Sequence, residues 1–383
     1  MQSCVRTFEF GFWHRPETIL KSVKLHIFNP EHDIALAYDK ARITMPHAAQ
    51  ELRMNLGYLP VLWASGGDAV LVDDIKYAIK AAAPLGRLAA DVLFVEKADL
   101  RRLPVDEVEP WGWDKRIRTE LLDAGIDASC LPSDDSLEAW RTVSDRRHTS
   151  TLLLGLRSGI EDKTCGEAFC CSNLQEVEAL VARYRSVVVK APWSSSGRGL
   201  RYVSAKIDQA KRVWIEKTLS RQGHVMVEPC YNRVCDFAAE FYSYGDGNVD
   251  YSGLSVFHTQ KGQYSGNVIS SEHDKLFRLG RYVDTSLYAE VVERLKHQLS
   301  ELLGSVYRGP LGVDMMAVAD RQTGRLLLHP CVEVNVRRTM GHVALALSSK
   351  SFEFASMMSI IHKVNYQLNI DRIEGQFVNV IYN

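Results

Sequence analysis

Two carboxylates set the terms on which this chain can fold. Asp314 stands between Val313 and the apolar run Met315–Val318, and Glu333 stands between Val332 and Val334. A carboxylate inside such a run is costly to bury unless it is paired or bound to metal. The segments Gly309–Ala319 and Arg325–Asn335 read as paired strands around the turn Asp320-Arg321-Gln322-Thr323-Gly324. On a strand, Glu333 and Asn335 face one way while Val332 and Val334 face the core. If the strands pair, Asp314 approaches both, and three oxygen ligands converge on one hard cation.

A second constraint is Ser186–Val203, SVVVKAPWSSSGRGLRYV. A buried strand ends at Lys190, the small residues Ser194–Gly199 follow, and Leu200–Val203 returns as a second strand. A loop so poor in side-chain bulk brings backbone N–H groups close to phosphate oxygens, and the lysine at its root adds a point charge. A plain flexible hairpin has the same local pattern. The two acidic strands further along favour the anion site.

The chain of 383 residues is long for one core, so two or three domains are expected. Apolar residues make up 46%, charged residues 24%, and the formal net charge is −1. That balance suits a soluble, cytoplasmic globular protein with no bias toward nucleic acid or membrane. No apolar run approaches the roughly 18 residues of a membrane helix. Arg6, Glu9 and His14 interrupt the start, so it does not read as a secretory signal, and residues 1–22 read as a poorly ordered tail. Eight scattered cysteines suit reduced thiols. The cluster Cys165, Cys170 and Cys171 has no histidine nearby to complete a zinc pattern.

Taken in order, Val23–Phe28 is a strand that runs into Asn29-Pro30-Glu31-His32-Asp33. Open α/β sheets place ligands at such a strand end, although a capped helix start reads the same way. Pro46–Leu56 follows as a helix, Pro60–Ala64 as a strand, Gly66-Gly67 as a turn, Asp73–Ala83 as a helix, Asp91–Val95 as a strand and Trp113–Ala124 as a helix. The alternation argues for a small parallel sheet over 23–140. Ser144–His148 opens a second unit and leads into a helix from Thr149. Ser172-Asn173-Leu174-Gln175 reads as a capping box. A helix from Asp208 to Arg221 closes an α+β lobe over 145–223. His224–Glu228 starts a second lobe over 224–383, followed by a hairpin of Asp236–Tyr244 and Val249–Thr259. Gly262–His273 reads as a loop near the site, and Leu287, Val291, Leu295, Leu299 and Leu302 mark an amphipathic helix.

These residues resemble the ATP-grasp superfamily, of the carboxylate–amine or carboxylate–thiol ligase kind, over about Asp145 to Gly341. The resemblance implies two α+β lobes sandwiching a nucleotide, with a small parallel α/β domain in front. Asp145-Arg146 resembles the pair whose cation touches the nucleotide phosphates. Val189-Lys190 with Ser194, Ser195, Ser196 and Gly197 resembles the second phosphate lysine and its loop. Val227-Glu228-Pro229 resembles the adenine hinge, and Asp236 sits about where the family has an acidic ribose contact, one residue late. Asp314, Glu333 and Asn335 resemble the magnesium triad. ATP and Mg²⁺ are therefore the implied cofactors. D-Alanine–D-alanine ligases carry an arginine two residues before the metal aspartate, where this chain has Gly312. Arg337 and Arg338 are the candidates to replace that cation, and alternation puts Arg337 on the face of Glu333 and Asn335.

The implied activity is phosphorylation of a small-molecule carboxylate by ATP to an acyl phosphate, which an amine or thiol then attacks. Lys190, Arg337 and Arg338 would act on the transferring group. The acceptor is expected between the first domain and the last lobe, lined by Asn29, Glu31, His32, Tyr264, Asn267, His342 and Arg337. A homodimer is compatible with the sequence. The alternatives are a phosphotransferase of the same fold acting on a hydroxyl, and a nucleotide-binding protein without catalysis. A dinucleotide-dependent enzyme is disfavoured because no Gly-x-Gly-x-x-Gly follows the first strand.

Overall fold

The computed structural model describes residues 22–194, 199–260, 263–350 and 355–373. Residues 1–21 of the expected tail, and Ser195, Ser196 and Gly197 of the loop, lie outside the described residues. The chain divides into two compact units. One holds the described residues up to Glu138 with Ile360–Asn369, and the other holds Ala139–Ser359 with those from Ile370 onward. The return of 360–369 to the first unit was not expected from a single lobe over 224–383.

The first unit is built on four parallel strands in the order β3-β2-β1-β4. They are β1 (Val23–Ile27), β2 (Ala69–Leu71), β3 (Leu93–Val95) and β4 (Val105–Pro110). Leu25, Ile27, Ala69 and Leu71 pack with Ile117 and Leu121 of a covering helix. The helices are α1 (His32–Tyr38), α2 (His47–Leu56), α3 (Ile75–Ala82) and α4 (Lys115–Ala124). Asp114 caps α4 by accepting from the Arg116 and Ile117 N–H groups. Pro60–Ala64 is not a strand: Leu59–Leu62 is a short 3₁₀ helix, and the strand comes later at Ala69–Leu71. Pro60 lacks a donor and its fixed φ suits a first helical turn, so the apolar run reads either way. The edge strand β4 escaped the sequence reading because VDEVEP is rich in acids, which suit a sheet edge.

After α5 (Asp134–Val143) and α6 (His148–Arg157), the second unit forms two lobes. The small lobe has four antiparallel strands in the order β5-β8-β6-β7, from β5 (Phe169–Cys171), β6 (Ser186–Lys190), β7 (Leu200–Ser204) and β8 (Val225–Pro229). Its sheet thus includes β8, past the expected boundary at 223. Helices α7 (Leu174–Tyr184) and α8 (Gln209–Gln222) cover it with Val177, Val181 and Ile215. The α7 cap sits one residue later than expected, with Asn173 accepting from the Glu176 N–H.

The large lobe is a seven-stranded sheet in the order β13-β12-β9-β10-β11-β14-β15. Its strands are β9 (Arg233–Tyr244), β10 (Val249–Gln260), β11 (Gln263–Ile269), β12 (Arg308–Ala319), β13 (Leu326–Asn335), β14 (Ser356–His362) and β15 (Tyr366–Arg372). Phe237, Phe241, Leu311 and Val313 face Val291, Leu295 and Leu299 of the long helix in one core. Helices α9 (Glu272–Leu279), α10 (Thr285–Leu303) and α11 (Met340–Ser348) complete the lobe. Gly262–His273 is therefore not a loop: strand β11 occupies most of it and α9 starts at Glu272. The segment Gln-Tyr-Ser-Gly-Asn lacks the β-branched signal because strand pairing, not side-chain propensity, holds it in place. Among the described residues no helix is long and apolar enough to cross a membrane.

Candidate active site

The β12–β13 ladder sets Asp314 directly opposite Glu333 and Gly312 opposite Asn335, so both carboxylates and the amide leave one face. A register shift follows between Asp314 and Met316. Asn335 Nδ2 donates to Asp314 Oδ2 at 3.3 Å. Burial pushes the Asp314 carboxyl up to about 7, and the charge of Glu333 adds to the shift. All three side chains offer oxygen, the donor a hard divalent cation prefers, and the crowding of two acids is relieved by such a charge. The residues thus fit magnesium. Among the described residues no three His, Cys, Asp or Glu side chains group around one metal position, since this triad is two acids and an amide.

The small lobe supplies the cations. Lys190 ends β6, is 5% exposed, pairs with Glu228 at 2.6 Å and donates to the Val332 carbonyl at 3.1 Å. Burial pushes the Glu228 carboxyl up, and Lys190 opposes this. Arg146 donates to the Ala191 carbonyl and to Ser194 Oγ, both at 2.6 Å, and pairs with Glu333. It therefore ties the foot of the small-residue loop to the face of Asp314 and Glu333. At that foot a Cβ on Gly199 would overlap Ser194 Oγ, so the close approach needs glycine. Asp145 receives His224 Nε2 at 3.0 Å and the Arg147 N–H at 2.8 Å. Burial would raise this carboxyl, but His224 and the Arg147 N–H hold it below its ordinary range. The sequence reading missed His224, whose partner lies far away in the chain.

Arg337 donates to Asn335 Oδ1 at 2.9 Å and to the Arg338 carbonyl at 3.1 Å. Asp236 accepts from the Thr259 hydroxyl at 2.9 Å and pairs with Arg233 at 3.2 Å. Val227 is a fully buried core residue of the small lobe, so its side chain is not free to contact a base.

The expected acceptor residues are engaged elsewhere. Asn29 bonds the Gly112 carbonyl at 2.8 Å, Glu31 pairs with Arg53 at 3.0 Å and Arg116 at 2.6 Å, and His32 Nδ1 meets Asp114 at 3.2 Å, all within the first unit. Asn267 donates to Ser255 Oγ at 2.8 Å and accepts from the Tyr264 hydroxyl. His342 caps the start of α11. Each of these residues has protein partners within its own unit. Cys165, Cys170 and Cys171 are free thiols.

Arg146, at the foot of the small-residue loop of one antiparallel lobe, thus meets the acidic hairpin of the next. No family model matches the sequence, and no curated protein matches it. Among solved structures, biotin carboxylase from Campylobacter jejuni with a β,γ-ATP ligand has 11% identity and a TM-score of 0.49, covering 90% of this chain and 76% of that one. N5-carboxyaminoimidazole synthetase from Staphylococcus aureus with ADP has 10% identity and a TM-score of 0.45, covering 88% and 82%. D-alanyl-alanine synthetase A from Vibrio cholerae has 15% identity and a TM-score of 0.43, covering 83% and 89%.

Proposed function

We propose that this protein is an ATP- and magnesium-dependent ligase that activates a small-molecule carboxylate as an acyl phosphate for attack by an amine or thiol. The observation that carries the reading is the bridge from Arg146 to both Ser194 and Glu333. A cation joined to the foot of a small-residue loop and to one of two paired carboxylates supports a nucleotide phosphate and a metal at that point.

The charges of the site are matched in pairs: Arg146 with Glu333, Lys190 with Glu228, and Arg337 with the Asn335 amide. A triphosphate would take Arg146 and Lys190 as partners, freeing Glu333 and Asp314 for metal and Glu228 for the base. Magnesium, held by Asp314, Glu333 and Asn335, would supply charge neutralisation at the terminal phosphate oxygens. Arg337 is placed to share that task. A substrate carboxylate oxygen then attacks the γ-phosphorus and ADP leaves. An amine or thiol adds to the acyl carbon, phosphate departs, and the nucleophile gives up its proton. No protein nucleophile is needed.

The test is thermal unfolding with ADP plus Mg²⁺, compared with each alone, on wild type and Glu333→Ala. Linkage gives a stabilisation of about 2.7 kcal/mol at a hundredfold excess over the dissociation constant. A metal-dependent shift that Glu333→Ala removes supports the reading, and no shift at millimolar nucleotide overturns it. Release of phosphate on adding a carboxylate with an amine or thiol then separates ligation from transfer to a hydroxyl.

A further inference from the structure

His224 has no role in the scheme above, yet both cations given to phosphate there trace back to its strand. Lys190 pairs with Glu228, inside β8, at 2.6 Å. Arg146 follows Asp145, and Asp145 receives Nε2 of His224, the residue just before β8, at 3.0 Å. Val225 and Val227 belong to the small-lobe core, so alternation turns Met226 and Glu228 to the other face. Val188 and Lys190 of β6 lie opposite Glu228 and Met226 in register. Just past that ladder the Pro192 carbonyl accepts the Arg146 N–H at 3.4 Å. β8 is an inner strand with β5 on one side and β6 on the other, so the spacing along it is fixed.

The contacts of His224 define its ring state. Arg147 Nη2 lies 3.2 Å from Nδ1, and a guanidinium can only donate, so Nδ1 holds a lone pair. The ring hydrogen is then on Nε2 and goes to Asp145 Oδ1. Asp145 also takes the Arg147 Nε–H at 2.9 Å and the Arg147 backbone N–H at 2.8 Å. His224, Asp145 and Arg147 thus form a closed triangle in which each bonds the other two. The Trp193 ring meets the imidazole edge to face at 6.4 Å, and the Arg141 guanidinium lies over Trp193 at 3.7 Å. The Trp193 N–H in turn donates to the Gln222 side chain at 3.1 Å. Arg146 stands outside the triangle, and its guanidinium goes to the Ala191 carbonyl, Ser194 and Glu333.

We propose that His224 is a positioning residue, a neutral imidazole that locks the Asp145–Arg147 turn to the head of β8 and so sets where Arg146 meets phosphate. Its two ring nitrogens do opposite jobs, one donating to the residue before Arg146 and the other accepting from the residue after it. The turn is thus held on both sides of the arginine. One guanidinium makes the contacts to Ser194 and to Glu333, so a small slip of the turn loses both. With Glu228 holding Lys190 further along, β8 fixes the separation of the two cations before any nucleotide arrives. A ring with hydrogen on Nδ1, or on both nitrogens, would face Arg147 with a donor and open the triangle. The proposal rests on the reading of Arg146 as a phosphate cation, and one arm of its experiment does not.

That arm is nitrogen-15 spectroscopy of histidine-labelled protein at neutral pH, compared between wild type and His224→Gln. The ring signal lost in the variant should be that of a neutral ring with hydrogen on Nε2; a charged ring, or hydrogen on Nδ1, overturns the proposal. The second arm is calorimetric binding of Mg·ADP. His224→Gln, whose amide keeps a donor for Asp145 and an acceptor for Arg147, should bind within about twofold of wild type. His224→Ala should lose about tenfold, the size expected when a hydrogen bond to a charged group goes. In an Arg146→Ala background the same change should cost less than about twofold, because the residue it acts through is gone. A general loosening of the lobe would cost as much in both backgrounds. His224→Gln as weak as His224→Ala, His224→Ala equal to wild type, or an undiminished loss without Arg146 each overturns the proposal. Should His224→Ala fail to fold, His224→Asn takes its place, since its shorter amide cannot reach both partners, and the same loss is expected. If wild type itself does not bind Mg·ADP, the site reading fails and the positioning claim falls with it, while the nitrogen spectrum still decides the ring.

Discussion

In the first unit, Glu31 is buried between Arg53 and Arg116, while Glu120 takes Arg53 and Lys97. In the second, Asp314 and Glu333 stand opposite each other, and the cation that reaches Glu333 is Arg146, from the turn between α5 and α6. Both clusters are buried, polar and rich in acids and arginines. They differ in how charge is matched. The first unit sets each acid against cations fixed on neighbouring helices, and Glu120 is held down to about 2, burial being outweighed by Arg53 and Lys97. The second leaves Asp314 raised to about 7 by burial and by a like charge. A cluster that lowers its acids is spending its charges on the fold. One that raises them holds charge in reserve for a ligand.

Removing one cation from each cluster should separate them most widely. Arg53→Ala leaves Glu31 and Glu120 without their shared partner, and breaking a buried pair in this way costs roughly 3–5 kcal/mol. Lys190→Ala should cost less, on the order of 1–2 kcal/mol, because burial already pushes Glu228 toward its neutral form and it can take up a proton. The same variant should lose Mg·ADP binding and ATP turnover, whereas Arg53→Ala, to the extent that it folds, should keep the binding. Denaturant titration with and without nucleotide measures both. Equal stability costs, or nucleotide binding lost with Arg53 and kept without Lys190, would erase the distinction.

How much of this was legible in the sequence follows from the range of each interaction. Strand alternation around Asp314 and Glu333 is a local signal, and it gave their shared face and pairing correctly. Lys190 at the end of VVVK was equally local. Strand β11 was hidden because its hold is the ladder to β10 and β14, which no propensity within Gln-Tyr-Ser-Gly-Asn reports. Asn29, Glu31 and His32 suggested a ligand because a polar cluster at a strand end has two uses, and their partners Arg53, Gly112 and Asp114 are distant in sequence. His224 and Asp145 are similarly far apart.

The same contrast predicts opposite responses to pH. Glu120 has a folded value near 2 against an ordinary 4.5, so its contribution is present above about 4.5 and is lost as pH falls toward 2. Asp314 and Glu240 have folded values near 7 and 8 against ordinary values of 3.8 and 4.5. Their contribution is complete below about 4 and is lost as pH rises through 7 to 8. Hydrogen exchange in α4 should therefore quicken toward acid, and exchange in β9 and β12 should quicken toward mild alkali, each by an opening energy on the order of a few kcal/mol. Mg·ADP should offset the alkaline change at β12, because a cation beside Asp314 favours its charged form. A single pH trend shared by both regions would contradict the assignment.

The smallest expected difference pits two asparagines against each other. Asn29 holds both backbone groups of Gly112, donating to its carbonyl at 2.8 Å and accepting its N–H at 3.4 Å, at 1% exposure. Asn29→Ala leaves those groups buried without partners, at about 1–3 kcal/mol. Asn335 is only half-buried, and its partners are the side chains of Asp314 and Arg337, which can turn to water or to each other. Asn335→Ala should therefore cost under about 1 kcal/mol in the absence of ligand. Its effect belongs to binding: the metal-dependent part of the ADP midpoint shift should shrink while the shift with ADP alone stays. An Asn335→Ala protein that unfolds as readily as Asn29→Ala would make the hairpin end a structural cluster like the first unit's. One that keeps the full metal-dependent shift would remove the amide from the ligand set and leave the two acids to hold the ion.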